Sequence, residues 1–65
     1  MIKLTKLNGQ EIYINPDLMG NMEAQPHTII HMTTGERIIV KEGTAQVADL
    51  IISYKRKIYL ENKSV

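Results

Sequence analysis

The chain has 65 residues, 43% hydrophobic and 23% charged, a globular composition with room for one domain, residues 1–65, and no second. Eight Lys and Arg against seven Asp and Glu leave a net charge of +1, too little to hold nucleic acid by bulk charge. With no cysteine, disulfides and thiolate metal sites are excluded. No apolar run approaches the roughly 18 residues of a membrane span. The alternating start Met1-Ile2-Lys3-Leu4-Thr5-Lys6 lacks the apolar core of a signal peptide, so a soluble cytoplasmic protein is expected. A chain this short buries only about 60% of its unfolded surface. Its core should be thin, and a partner or a second copy could complete it.

The first unit spans Ile2 to Ile14. Ile2 and Leu4 alternate with Lys3 and Thr5, and Ile12 and Ile14 alternate with Glu11 and Tyr13. Asn8-Gly9 lies between, a strong hairpin signal because both residues tolerate the positive φ of a type I′ turn. Strands are expected at 2–7 and 10–14. In Asn15-Pro16-Asp17-Leu18-Met19, Asn15 can cap and Pro16 suits the first helical position. The segment is too short for an α-helix and predicts one 3₁₀ turn. Gly20-Asn21 then releases a strand from Met22 to Gln25. Pro26-His27 makes a turn, with Pro26 presetting φ. Strands follow at Thr28–Thr33 and Glu36–Lys41, joined by a tight turn at Thr34-Gly35. Ile29 and Ile30, like Ile38 and Ile39, place apolar side chains on both faces. Such strands are central, or one face meets another subunit.

Glu42-Gly43-Thr44 ends the sheet, with Thr44 as helix N-cap, and from Ala45 the apolar period becomes 3.6. Val47, Leu50, Ile51, Tyr54 and Ile58 fall on one stripe, which predicts a helix over about 45–58 and a frayed tail at 62–65. Ala48, Ile52 and Tyr59 form a second line, about 100° round from the first. That line exceeds what a monomer needs for its core. It is either a widened core stripe, or a contact for a subunit or partner. The expected fold is α+β and mainly β. About five short antiparallel strands form a curled meander sheet or small open barrel, closed on one side by the C-terminal helix.

Little in the chain suits catalysis. His27 lies in a turn, and His31 is a lone histidine on a strand, a residue that is usually structural or on the surface. Two histidines without a nearby acid pair make no zinc site. The four glycines are dispersed over turns and form no phosphate-cradling loop. The chain is therefore expected to be no enzyme and to need no cofactor or metal. Its one charge run is Lys55-Arg56-Lys57, late in the helix, where cations are favoured by the macrodipole. The same run could meet an acidic protein, anionic lipid headgroups or RNA. The absence of Phe and Trp removes the stacking surface of common RNA-binding sheets.

Taken together, Met1-Ile2-Lys3-Leu4-Thr5-Lys6-Leu7-Asn8-Gly9, Ile14-Asn15-Pro16-Asp17-Leu18, Glu23-Ala24-Gln25-Pro26-His27-Thr28-Ile29-Ile30, Gly35, Val40-Lys41-Glu42 and the helix with Ile51 and Tyr54-Lys55-Arg56-Lys57 resemble the flagellar FlbD/SwrD family. The resemblance covers nearly the whole chain. His27 stands where the family often has Asp, and Thr34 where it often has Asn. The second change should make its turn less comfortable, since β-branched Thr resists positive φ. The resemblance implies a cytoplasmic accessory protein at the flagellar base, on the inner side of the membrane, supporting swarming and motor power through the stator units. It brings no catalytic residue.

The leading expectation is a non-enzymatic flagellar adaptor that binds protein components of the motor or stator. Lys55, Arg56 and Lys57 would guide contact by charge, and Ile52 and Tyr59 would supply apolar contact. Self-association into a homo-oligomer is expected too, because open sheet edges tend to pair or be covered. The alternative is a small RNA-binding regulator of flagellar gene expression. A phosphate binder should carry a basic stripe, whereas Lys3, Lys6, Arg37 and Lys41 are spread among acids.

Overall fold

A computed structural model describes residues 1–63, with side chains described through Ile58. Its elements are β1 (Ile2–Thr5), β2 (Glu11–Ile14), a 3₁₀ turn (Pro16–Leu18), β3 (Met19–Glu23), β4 (Thr28–Met32), β5 (Arg37–Val40) and α1 (Thr44–Lys63). The class is α+β and mainly β, as the alternation and the later change of period predict. β1 and β2 form one antiparallel sheet, and β3, β4 and β5 a second in that order. Period-two alternation sends Ile2, Leu4 and Ile14 inward to join Ile30, Val40 and Val47 in the core, while Tyr13 on the other face stays 66% exposed.

The two tight turns share one construction. Ile2 pairs with Ile14 and Leu4 with Ile12. The Lys6 N–H continues the ladder to the Gln10 carbonyl at 2.8 Å, and the Gly9 N–H returns to the Lys6 carbonyl at 2.9 Å. That leaves a three-residue loop, Leu7-Asn8-Gly9, in which only Gly9 has positive φ, at 93°. The expected type I′ turn is thus replaced by a type I turn ending in a glycine bulge. Asn8 contributes instead through its side chain, whose Oδ1 accepts from the Gln10 N–H at 2.9 Å. Thr33-Thr34-Gly35 repeats the pattern. Met32 N–H bonds to the Glu36 carbonyl, Gly35 N–H to the Met32 carbonyl, and Gly35 has φ 97°. Thr34 carries no positive φ, so the discomfort expected of it does not arise. An added Cβ at Gly35 would meet nothing within 4 Å, so its substitution tests backbone conformation alone. Gly35→Ala is expected to lower stability by about 1–2 kcal/mol. Gly43→Ala, equally uncrowded and without positive φ, should be near neutral by urea denaturation.

Asn15 caps the 3₁₀ turn as expected, its Oδ1 accepting from the Asp17 N–H at 3.0 Å, with buried Pro16 opening the turn. β3 begins at once, at Met19 rather than at Met22, and a bulge lies between Met19 and Asn21. The Gln25–Pro26 peptide bond in the β3–β4 loop is cis.

A continuous meander would pair β2 with β3, and this does not occur. The capped 3₁₀ turn between them redirects the chain. The join is made elsewhere: Lys6 bridges Val40, and the Lys41 N–H bonds to the Thr5 carbonyl at 2.8 Å. Across both sheets the strand order is therefore β2-β1-β5-β4-β3, an open, curled arrangement rather than a closed barrel. The two-sided apolar pattern of β4 and β5 follows from this. Ile30 and Val40 are fully buried, and Ile29 and Ile39 behind them are half-buried.

α1 packs mainly against β1. Its first bond runs from the Val47 N–H to the Gly43 carbonyl at 3.0 Å, so Thr44 lies inside the helix and is not its cap. Val47 is fully buried, Leu50, Ile51 and Tyr54 lie against the core, and Ile58 is 37% exposed. The helix continues to Lys63, past the expected end near 58. Twenty residues make a rod of about 30 Å, whereas strands of four or five residues span about 13–17 Å. The second half of α1 therefore overshoots the sheets, and the chain measures 42 × 22 × 19 Å. Of the expected tail, Ser64 and Val65 lie outside the described residues, as do the side chains of Asn62 and Lys63.

Candidate interaction face on the C-terminal helix

The overshoot decides what α1 can touch. From Lys55 to Ile58 every side chain is exposed. At about 100° per residue, the basic run fans round the axis and makes no single patch. Lys55 leans toward the body, where its Nζ lies 3.6 Å from Asp17 Oδ1 of the 3₁₀ turn, both side chains being about 60% exposed. A pair this wet contributes well under about 1 kcal/mol and mainly orients the lysine. Arg56 lies one turn beyond Ile52 on the outward side, while Lys57 falls on the opposite flank. Among the described residues neither makes an ion pair with a side chain. Of the second apolar line, Ile52 is 54% exposed and stands outside the core, while Ala48 is half-buried. The side chain of Tyr59 lies outside the described residues.

The structure thus brings Ile52 and Arg56 together and separates Lys57 from them. Asp17 was not visible as a partner, since nothing in the local pattern links a turn acid to a helix cation far along the chain.

The most constrained polar group lies at the seam between the sheets. Glu42 folds back on β1, where its Oε1 accepts from the Thr5 N–H at 2.9 Å and its Oε2 from the Thr5 hydroxyl at 2.9 Å. Burial alone would push the Glu42 carboxyl up. The bonds from Thr5 N–H, its own N–H and the Thr5 hydroxyl, with the Lys41 charge, outweigh it and hold the carboxyl below its usual range. This clasp is structural. No spacing signal announces it, because its partners are 37 residues apart.

His27 is exposed in the β3–β4 loop. His31 Nε2 lies 2.6 Å from Glu23 Oε2 across the β3–β4 pair, with the two side chains 34% and 56% exposed. Among the described residues no third acid or histidine joins them in a group that could hold a metal ion. A shallow groove open to solvent separates the β1–β2 turn from β5, lined by Lys6, Leu7 and Asn8 on one side and Arg37, Ile38 and Ile39 on the other. Among the described residues no helix is long and apolar enough to cross a membrane.

A family model described as flagellar and swarming motility proteins, FlbD, matches residues 1–59. The chain belongs to the FlbD family. The match takes in both hairpin turns, the clasp and α1 as far as Tyr59, so the features described above are parts of the FlbD unit. No curated protein matches the chain, and no solved structure does. Membership ties the chain to flagellar and swarming motility and leaves its contacts to be argued from the surface.

Proposed function

We propose that this FlbD-family protein is a non-enzymatic adaptor that supports swarming and motor power by binding a protein component of the flagellar motor or stator on the inner side of the membrane. The observation that carries this reading is the outward face of α1, where Ile52 is left outside the core beside Arg56, on a helix that reaches past its own sheets. An exposed apolar side chain flanked by a guanidinium suits protein contact, in which a buried anchor supplies affinity and rim charge supplies steering. The fanning of Lys55, Arg56 and Lys57 round the axis favours this over RNA, because phosphate tracking needs an unbroken basic stripe.

The test is a motility and stator-occupancy assay with Lys55, Arg56 and Lys57 changed together to alanine, and with Ile52→Asp separately. Each variant should fold, as judged by circular dichroism, and each should lower swarming and stator occupancy several-fold. Unchanged swarming with both folded variants would remove this face from the mechanism. A salt-sensitive gel shift of flagellar transcripts would move the reading to RNA.

A further inference from the structure

We infer that α1 pairs antiparallel with α1 of a second copy across Ala45, Ala48, Asp49, Ile52 and Arg56, about a two-fold axis at Ile52. These five positions fall within an arc of about 100°, turned away from Val47 and Tyr54. All but Ala48 are exposed. Ile52 is the apolar centre, and the two alanines let a second backbone come close.

Charge decides the direction. Asp49 and Arg56 are seven residues apart, about 10 Å along the axis, too far to pair within one helix. Neither has an oppositely charged residue three or four places away, the spacing at which helical ion pairs form. An antiparallel partner centred on Ile52 sets Asp49 of each copy beside Arg56 of the other, so both charges are matched twice by one operation. A parallel pairing would set Asp49 against Asp49 and Arg56 against Arg56, which repels. The antiparallel contact is self-complementary and closes at two copies. The same register sets the Tyr59 position level with Ala45 of the second copy. A single helix seam is smaller than the roughly 1,200 Å² at the lower bound of stable interfaces, so the dimer is weak and reversible. The second copy and the proposed motor component use the same Ile52–Arg56 face and exclude one another there. Sedimentation of the isolated chain needs no motor component and so tests the dimer by itself.

The experiment is sedimentation of the purified full chain from micromolar to millimolar concentration, with circular dichroism on every variant. Wild type should pass from monomer to dimer, and Ile52→Asp should stay monomeric. Asp49→Arg and Arg56→Asp should each weaken association about tenfold or more, which is about 1.4 kcal/mol. The double swap should return it to within about threefold of wild type. A wild type that is monomeric at millimolar concentration, an Ile52→Asp chain that still dimerises, or a double swap no tighter than the single ones would each overturn the inference.

Discussion

Leu4→Ala is expected to cost about 2–5 kcal/mol, a large share of the stability of a domain this small. Leu4 is fully buried and sits on β1, the strand that meets both its hairpin partner and α1. Total stability for a domain of this length is roughly 3–10 kcal/mol at the usual 0.05–0.15 kcal/mol per residue. The buried hydrophobic cluster consists of Ile2, Leu4, Ile14, Ile30, Val40 and Val47, so a cavity here has few neighbours to share its collapse. Urea denaturation followed by circular dichroism measures the loss. Ile30→Val, which removes one methylene from an equally buried position, should cost only about 0.5–1.5 kcal/mol. Equal losses from the two would mean that the core adapts more freely than this packing implies.

Glu42→Ala should cost about 1–3 kcal/mol by leaving the Thr5 N–H without its acceptor, toward the lower figure because water reaches the site. The pH dependence is the sharper test. The folded carboxyl is held below its ordinary value, so the unfolded chain binds this proton more readily and stability rises with pH across the window. The contribution is complete above the unfolded glutamate value of about 4.3, and it is lost as the pH falls through the lowered folded value. Glu42→Gln keeps the shape but cannot titrate. Its denaturation midpoint should fall less than that of wild type between neutral pH and pH about 3. Parallel curves for the two proteins would show that the clasp carries no charge-dependent stability.

Local signals carried most of the fold into view. Period-two alternation placed the hairpins, Asn15-Pro16 placed the 3₁₀ turn, and the spacing from Val47 to Ile58 placed the helix. What stayed hidden was set by geometry over long separations. The partner of β1 beyond its own hairpin is β5, selected by where the 3₁₀ turn sends the chain and fixed by Glu42 reaching Thr5. Asn8-Gly9 announced a turn correctly but not its type, because a two-residue and a three-residue loop share that pair and only the register separates them. In the same way, Ile58 has core spacing yet is part-exposed, because the helix outruns the short strands beneath it.

For the candidate face on α1, the exposed residue types were legible and their grouping along the helix was not. Ile52 stood out as surplus apolar surface, and it is exposed. Lys55, Arg56 and Lys57 looked like one feature in a linear reading, whereas a helix distributes three consecutive residues round most of its circumference. Lys55 is drawn to Asp17, Arg56 belongs with Ile52, and Lys57 points elsewhere. Asp49 has a role only in the inferred dimer, since among the described residues it makes no ion pair.

The join between the two sheets has a kinetic consequence. The hairpin and the three-stranded meander each assemble from sequence neighbours, so their loop-closure cost is small and they should order early. Thr5 and Glu42 must find one another across 37 residues, and their encounter should come last. Substitutions there should speed unfolding and leave the refolding rate nearly unchanged.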